Sequence, residues 1–502
     1  MYTVGLQSAA DAFLLASLKA QVVIALIILF LILVFGVGTH KESFDEHAPV
    51  FLPGYHLLAI IPFFRKRFEF LNEGFKVTGQ SLFQFSMLKD TVIVVSGESG
   101  RKAFFSNKHL DLTEGFKVLS GAIPMVNGVT SDLQSRRIAL IHKRLASVQN
   151  SEALTRLIHP ILEDTRRVME SWGPEGTFDP FEHVYKLVFQ TTVRSITCDE
   201  IADDPMLVQK LKDLYDTLDS GTTPATVILP WLPTPSMLRK LCATKKIYDI
   251  VVHAVNTRQA SGVARDDTLQ MLLDNGDEKL VVVGFIMGLL VAGARATGTT
   301  ASWLITYLGG HQEWREKAVV EVEQLLASYH SSGTTSLSAH LAAVPLEAWE
   351  SETPVIDALI HETLRVAQPH TAMRRNLGPD VLIDSKTIPS GAYVLYPFSD
   401  VHLNPELYPD PWTFDPARKP ANVPYGYVGW GGGKTVCLGQ RLARMELKLI
   451  VAMFLLSFQF DLVDKDGHQP QALPRPNWND ILLCRPETGH CYIRYQKCML
   501  SL

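Results

Sequence analysis

Residues 429–449 read GWGGGKTVCLGQRLARMELKL, with Cys437 set between a run of glycines and a stretch that reads as a helix from 438 to 457. Residues without Cβ admit close approaches that other residues forbid. Gly431, Gly432 and Gly433 therefore let the turn lie against a flat partner, and Gly439 does the same one turn into the helix. A cysteine binds metal as its thiolate, a soft ligand suited to iron. The backbone N–H groups of the turn and of the helix start are placed to stabilise that charge. The plain alternative is a glycine-rich turn before a helix, with an incidental thiol.

The rest of the chain gives this loop a large setting. It has 502 residues, a net charge of −5 and 47% apolar residues. Its length allows about three domains, but no stretch after residue 53 reads as a flexible linker, so 54–502 is expected to be one domain. No basic tract interleaved with aromatics appears, which argues against nucleic acid as a partner. The six cysteines, Cys198, Cys242, Cys437, Cys484, Cys491 and Cys498, form no C-x-x-C pair. That spacing argues against a disulfide scaffold or a zinc site and suits free thiols in a reducing compartment.

The run AQVVIALIILFLILVFGVG, residues 20–38, has Gln21 as its one strongly polar member. At about 1.5 Å per residue it can cross a hydrocarbon core of roughly 30 Å. A cleaved signal peptide fits poorly, because no basic segment precedes the run and no small-x-small site follows it. A retained anchor is expected, with Lys19 on one side and Lys41, Arg65, Lys66 and Arg67 on the other. That bias favours the main domain in the cytosol. The expected organisation is a lumenal segment at 1–19, the transmembrane anchor at 20–38, a linker at 39–53 and the main domain at 54–502.

Within that domain the pattern is mainly helical with a smaller β part. LFQFSML and TVIVVSG read as a hairpin around Lys89-Asp90, and ESGRKAFF starts a helix with Ser96 or Ser99 able to cap it. Helical periodicity then covers 134–149, 153–172, 181–196, 206–219, 237–259, 266–275 and 278–327, the last as two helices. TAMRRNL, VLIDSKTIPSGAYVLYPF, SFQFDLV and GHCYIRYQ read as strands.

Two further motifs carry chemistry. In HETLR, 361–365, Glu362 and Arg365 are three apart and share a helix face. A solvated surface pair is the usual fate of that spacing, but the flanks are apolar, and Arg418 in FDPAR can complete a buried pair that needs further hydrogen bonds. In LLVAGARATGTTASW, 289–303, small residues interrupt a long apolar helix, and Gly288, Gly293 and Gly298 each weaken it by roughly 1 kcal/mol. Either these residues pack a core, or they make room for something at the helix face. Thr297, Thr299 and Thr300 add hydroxyls that can bend the helix or bind water.

The order of these pieces resembles the cytochrome P-450 superfamily, the haem-thiolate monooxygenases, over about 50–500. The small-residue helix resembles the oxygen-binding I helix, and Glu362-x-x-Arg365 the K-helix pair. YPDPWTFDPAR resembles the segment that supplies the third charged partner, here Arg418, and WGGGKTVCLG, 430–439, resembles the cysteine-ligand loop. A finer likeness is to the sterol 14-demethylase-like branch, through the Gly-Trp before the glycines, the basic residue at 434, SDVHLNPELYPDP at 399–411 and the ending Ala301-Ser302-Trp303. The segment FKVLSGAIPMVNGVTSD, 116–132, lacks that branch's Phe-Gly and ends Ser-Asp, which points instead to fungal-type specialised metabolism on a terpenoid or similar apolar substrate.

The resemblance implies haem b with Cys437 as the axial thiolate, which favours O–O cleavage. It implies O2, a lipophilic substrate, and electrons from NADPH through a separate NADPH-cytochrome reductase, at the endoplasmic reticulum membrane. It also implies that Gly431, Gly433 and Gly439 lie against the haem, and that Glu362, Arg365 and Arg418 support its site. Three positions depart from the family pattern. Where Arg or His usually holds a haem propionate stands Thr435, so that role passes to Lys434, with Arg374 or Arg375 as a further candidate. The usual acid and threonine of the I helix are Arg295 and Ala296, so oxygen activation can run through Thr297 and water. The alternative is a haem-thiolate isomerase or dehydratase that needs no external electrons. The usual Trp-x-x-x-Arg is absent from LQSRRIALIHKRLA, leaving His142, Lys143 or Arg144 to contact a propionate, or to form a solvated basic face. With Arg441, Arg444 and Lys448 these residues can form a docking face for an acidic reductase. The expected pocket walls are 116–130, Ala292, Ala296, Thr297 and Val366 to Met373.

Overall fold

The computed structural model describes residues 46–53, 60–87, 90–119, 135–221, 223, 234–329 and 336–498. The expected lumenal segment, the anchor at 20–38 and most of the linker lie outside the described residues. So do the hairpin turn at Lys89, the side chain of His142, and the side chains of the expected wall from 116 onward.

The helices that frame the site are α1 (Gly97–Ser106), α2 (Ser135–Val148), α3 (Ser151–Glu170), α4 (Pro180–Ile196), α5 (Pro205–Ser220), α6 (Lys279–Gly310), α7 (Pro354–Val366) and α8 (Gln440–Ser457). Their starts follow local chemistry. Asn150 accepts from Ala153 N at 2.8 Å to open α3. Asp179-Pro180, Asp204-Pro205 and Thr353-Pro354 place proline at the first helical position, where its missing N–H costs nothing. The 278–327 pattern resolves into α6 and the helix Gln312–Ser328, with the break at His311.

α6 is the central element and packs along α4. Its C-terminal half is enclosed all round: Thr297 to Gly309 are all buried. Trp303 and Tyr307 fill its C-terminal half, and Tyr307 stacks on Phe414 at 4.0 Å. Among the described residues α6 is the one helix long and apolar enough to cross a membrane, and its place is this helical core.

The smaller β part holds β1 (Val50–Phe51), β2 (Leu82–Met87), β3 (Asp90–Val95), β4 (Leu110–Asp111), β5 (Glu175–Phe178), β6 (Thr371–Asn376), β7 (Val381–Ile383), β8 (Lys386–Ile388), β9 (Tyr393–Pro397), β10 (Phe458–Val463) and β11 (Tyr492–Lys497). The order β1-β2-β3-β9-β6-β4 makes a mixed six-stranded sheet, in which the expected hairpin pairs Phe83 with Val94. β10-β11-β5 forms a second sheet and β7-β8 a small hairpin.

The start of α1 differs from expectation. Ser96 occupies the cap position, but its hydroxyl donates to Ser81 O at 2.9 Å. The Gly97 N–H instead meets both oxygens of Asp400 at 3.1 Å. A carboxylate at a helix N-terminus satisfies an orphan donor and complements the helix dipole.

Candidate active site

The cysteine loop is tied to itself. Gly431 N donates to Val428 O at 2.7 Å, Cys437 N to Trp430 O at 2.7 Å, and Thr435 N to Gly432 O at 3.1 Å. Gly433–Thr435 forms one 3-10 turn, and α8 begins at Gln440, two residues later than expected. Cys437 thus stands just ahead of the helix.

The glycines have more than one task. Gly431 and Gly433 have φ of 77° and 56°. A Cβ at Gly433 would overlap the Phe105 carbonyl, and one at Gly431 would sit 2.6 Å from Thr435 O. The close approach at these two residues is therefore to α1 and to the loop itself, where the sequence suggested a flat ring. Gly439 is the exception, since a Cβ there meets nothing within 4 Å.

Cys437 lies in a recess. Its surface is open, yet the protein around it pushes the thiol up from its ordinary value, while the Gly439 N–H pulls the other way. Metal ligation requires the thiolate, so binding displaces this proton.

β6 brings Arg374 to the loop. It is 2% exposed; it donates to Phe104 O and to Thr435 Oγ1, and lies 4.2 Å over the Phe104 ring. Burial lowers its pKa to about 10. Arg375 points to other partners, donating to Gly391 O at 3.2 Å and standing 3.9 Å from Glu114. Lys434 is exposed.

On α6 beyond Lys279 the open positions are Gly288, Ala292 and Ala296, spaced four apart and so on one stripe of the helix. Thr297, about 100° round from Ala296, is buried. Thr300 lies closer to the stripe and donates to Ala296 O at 2.7 Å. Arg295 forms an ion pair with Asp219 near the end of α5. Of the remaining expected walls, Val366 and Met373 are buried, Met373 in the cluster with Phe63 and Phe85.

Behind the loop, Glu362 and Arg365 are 1% and 0% exposed. Arg365 grips both carboxylate oxygens, at 2.8 and 2.7 Å, and donates to the carbonyls of His402, Pro411 and Thr413. Glu362 also accepts from Asp415 N at 3.0 Å, with Arg418 Nε at 3.5 Å. Burial raises the Glu362 carboxyl, and the Arg365 hydrogen bonds oppose that.

The other basic residues divide. Arg144 is buried and bidentate to Asp277 at 2.6 and 2.8 Å, so it ties α2 to the segment before α6. Lys448 is buried as well, donating to Trp349 O at 2.7 Å and pairing with Asp357 at 2.9 Å. Neither belongs to an exposed basic face. Arg441 and Arg444 remain partly exposed, paired with Glu350 and Asp357. Sequence reasoning passed over Glu446, a buried carboxyl that accepts from Thr191 and Thr192 at 2.5 and 3.0 Å. Its apolar neighbours Met445 and Leu447 were the available signal.

A recessed cysteine before a long helix, a buried arginine with no carboxylate beside it among the described residues, and a buried Glu-Arg pair behind them define a haem-thiolate class of protein. The Cytochrome P450 family model matches residues 54–491. The cytochrome P450 monooxygenase dmxR5 of Cryptosporiopsis sp. is 30% identical over 86% of this chain and 87% of its own length. Lanosterol 14-alpha demethylase of Bos taurus is 28% identical over 80% of each chain. A solved structure, retinoic acid bound cyanobacterial CYP120A1, shares the fold with a TM-score of 0.70 at 20% identity, covering 90% of this chain and 99% of its own. The chain belongs to the cytochrome P450 family and is a monooxygenase, an oxidoreductase whose cofactor is haem with an axial cysteine thiolate.

The residues present fit that group. Arg374 is a buried cation whose Nε has no partner among the described residues, ready for a carboxylate, Cys437 is reachable, and a Cβ at Gly439 would enter open space. When bound, haem supplies the redox chemistry on O2 that side chains lack.

Proposed function

We propose that this chain is a membrane-anchored monooxygenase of specialised metabolism, with Cys437 as the haem ligand. Its substrate is a lipophilic small molecule of terpenoid, sterol-like or similar character, and its electrons come from NADPH through a separate reductase. Residues 20–38 anchor it once in the endoplasmic reticulum membrane, with 1–19 in the lumen and 39–53 linking to a cytosolic haem domain at 54–502. Gly439, Arg374 and the Glu362-Arg365-Arg418 group serve the haem, while Arg295, Ala296 and Thr297 stand where oxygen is activated in the family.

The observation that carries this reading is the single reachable cysteine of a self-bonded loop, held by Cys437 N to Trp430 O at 2.7 Å. The open stripe Gly288, Ala292 and Ala296 supports an apolar substrate, since these residues offer space and no polar side chain. The test is the reduced-CO spectrum. The full-length protein gives the band of thiolate-ligated haem, and Cys437→Ser loses it. Persistence of that band in Cys437→Ser means another ligand.

A second reading, an isomerase or dehydratase needing no external electrons, has one observation in its favour. Arg295 is engaged with Asp219, and Ala296 offers no hydroxyl where the family's proton-relay pair stands. Turnover with and without NADPH and reductase separates the two readings, because product formed without electrons rules out the first.

A further inference from the structure

We propose that Thr435 is a positioning residue whose hydroxyl holds the Arg374 guanidinium in place for a haem propionate. The inference rests on the reading of 429–449 as the haem-ligand loop.

The first observation is an uncompensated charge. Arg374 is buried on β6, and among the described residues no carboxylate lies within ion-pair distance of it. With its pKa lowered to about 10 it still carries its proton at neutral pH. A buried cation is expensive unless an anion and hydrogen bonds complete it.

The second observation is how the guanidinium is held. Nη1 donates to Phe104 O, near the C-terminal end of α1, where helix carbonyls lack intrahelical donors and carry partial negative charge. Nη2 donates to Thr435 Oγ1, and Nε, buried, has no partner among the described residues. The planar fork is thus anchored through one N–H of each Nη atom, and the buried Nε–H is left for a ligand.

The third observation fixes the hydroxyl itself. Thr435 Oγ1 donates its proton to Gly432 O at 3.0 Å, which turns a lone pair toward Arg374. Gly432 in turn packs against the Phe105 and Tyr425 rings, where a Cβ would stand 3.0 Å from each. The loop, α1 and β6 therefore meet at one junction. Position 435 is where the resemblance placed a basic residue. Here a hydroxyl at that position steers a cation from the neighbouring strand, while the Lys434 side chain is exposed.

The test uses the full-length holoenzyme and follows haem transfer to excess apomyoglobin. Thr435→Val is expected to lose haem about tenfold faster, the factor that one hydrogen bond to a charged group is worth. Thr435→Ser is expected to stay near the parent rate, and the propionate-bending band in resonance Raman to shift in Thr435→Val alone. A second variant, Arg374→Lys, tests the coupling: Thr435→Val adds nothing to it if the hydroxyl acts through Arg374. A parent-like loss rate in Thr435→Val, or effects of the two changes that multiply, overturns the proposal. The thiolate band in the reduced-CO spectrum of the same samples reports separately on the ligand assignment, so a failure there is distinguishable.

Discussion

Arg365→Ala strikes at a fully buried ion pair. The substitution removes both hydrogen bonds to Glu362, at 2.7 and 2.8 Å, and leaves a carboxyl that is 1% exposed without its cation. Breaking a buried pair in this way costs about 3–5 kcal/mol. The same substitution strips the carbonyls of His402, Pro411 and Thr413 of a donor. The buried His402 carbonyl left unsatisfied adds about 1 kcal/mol or more, while those of Pro411 and Thr413 lie nearer to water. Arg418 recovers little, since its Nε is 3.5 Å from Glu362 and its other nitrogens are held by Pro409 O and Asp410 O. The expected loss of about 5 kcal/mol or more compares with a total stability of roughly 5–15 kcal/mol for a folded protein. The protein is therefore expected to accumulate poorly and to bind no haem. The assay is soluble yield together with haem content per chain from the reduced-CO spectrum. Glu362→Gln serves as the milder companion, because it keeps the Arg365 bonds to the three carbonyls. Soluble, fully haem-loaded Arg365→Ala would refute the reasoning.

Two other outcomes follow from particular residues. Burial raises the Glu446 carboxyl to about 7, against the pull of the Thr191 and Thr192 hydroxyls. The folded state then holds a proton that the unfolded state has lost above its ordinary value of 4.5. Stability is expected to fall by about 3 kcal/mol as pH rises from that value to neutrality, and to level off above it. Denaturant melts across this range measure the fall, and Glu446→Gln should flatten it; an unchanged slope in that variant assigns the effect elsewhere. Gly433→Ala is expected to cost about 2 kcal/mol or more, because its φ of 56° disfavours a side chain and the new Cβ meets Phe105 O. Gly439→Ala, with φ of −89° and open space around it, should stay within about 0.5 kcal/mol in urea unfolding of the apoprotein; equal costs at the two positions would contradict this assignment of the glycines.

What the chain determined by itself is its element plan and the order of its motifs. The alternation of LFQFSML and TVIVVSG, the proline-led helix starts and the long apolar run of α6 are local signals, and the helices and strands they indicate are present within a few residues. The spacing of Glu362 and Arg365 put them on one face, because three residues make nearly one helical turn. Partner choice was not written locally. Ser96 yields the cap of α1 to Asp400, Arg144 turns to Asp277, Lys448 is buried beside Asp357, and Arg374 rather than Arg375 meets Thr435. Each of these pairs is separated by at least 60 residues of sequence, so only the packing of distant elements brings the groups within hydrogen-bond reach. The glycines show the same division. Their presence at 431 and 433 announced a close approach, but only the folded chain decided that the neighbours there are Thr435 O and Phe105 O.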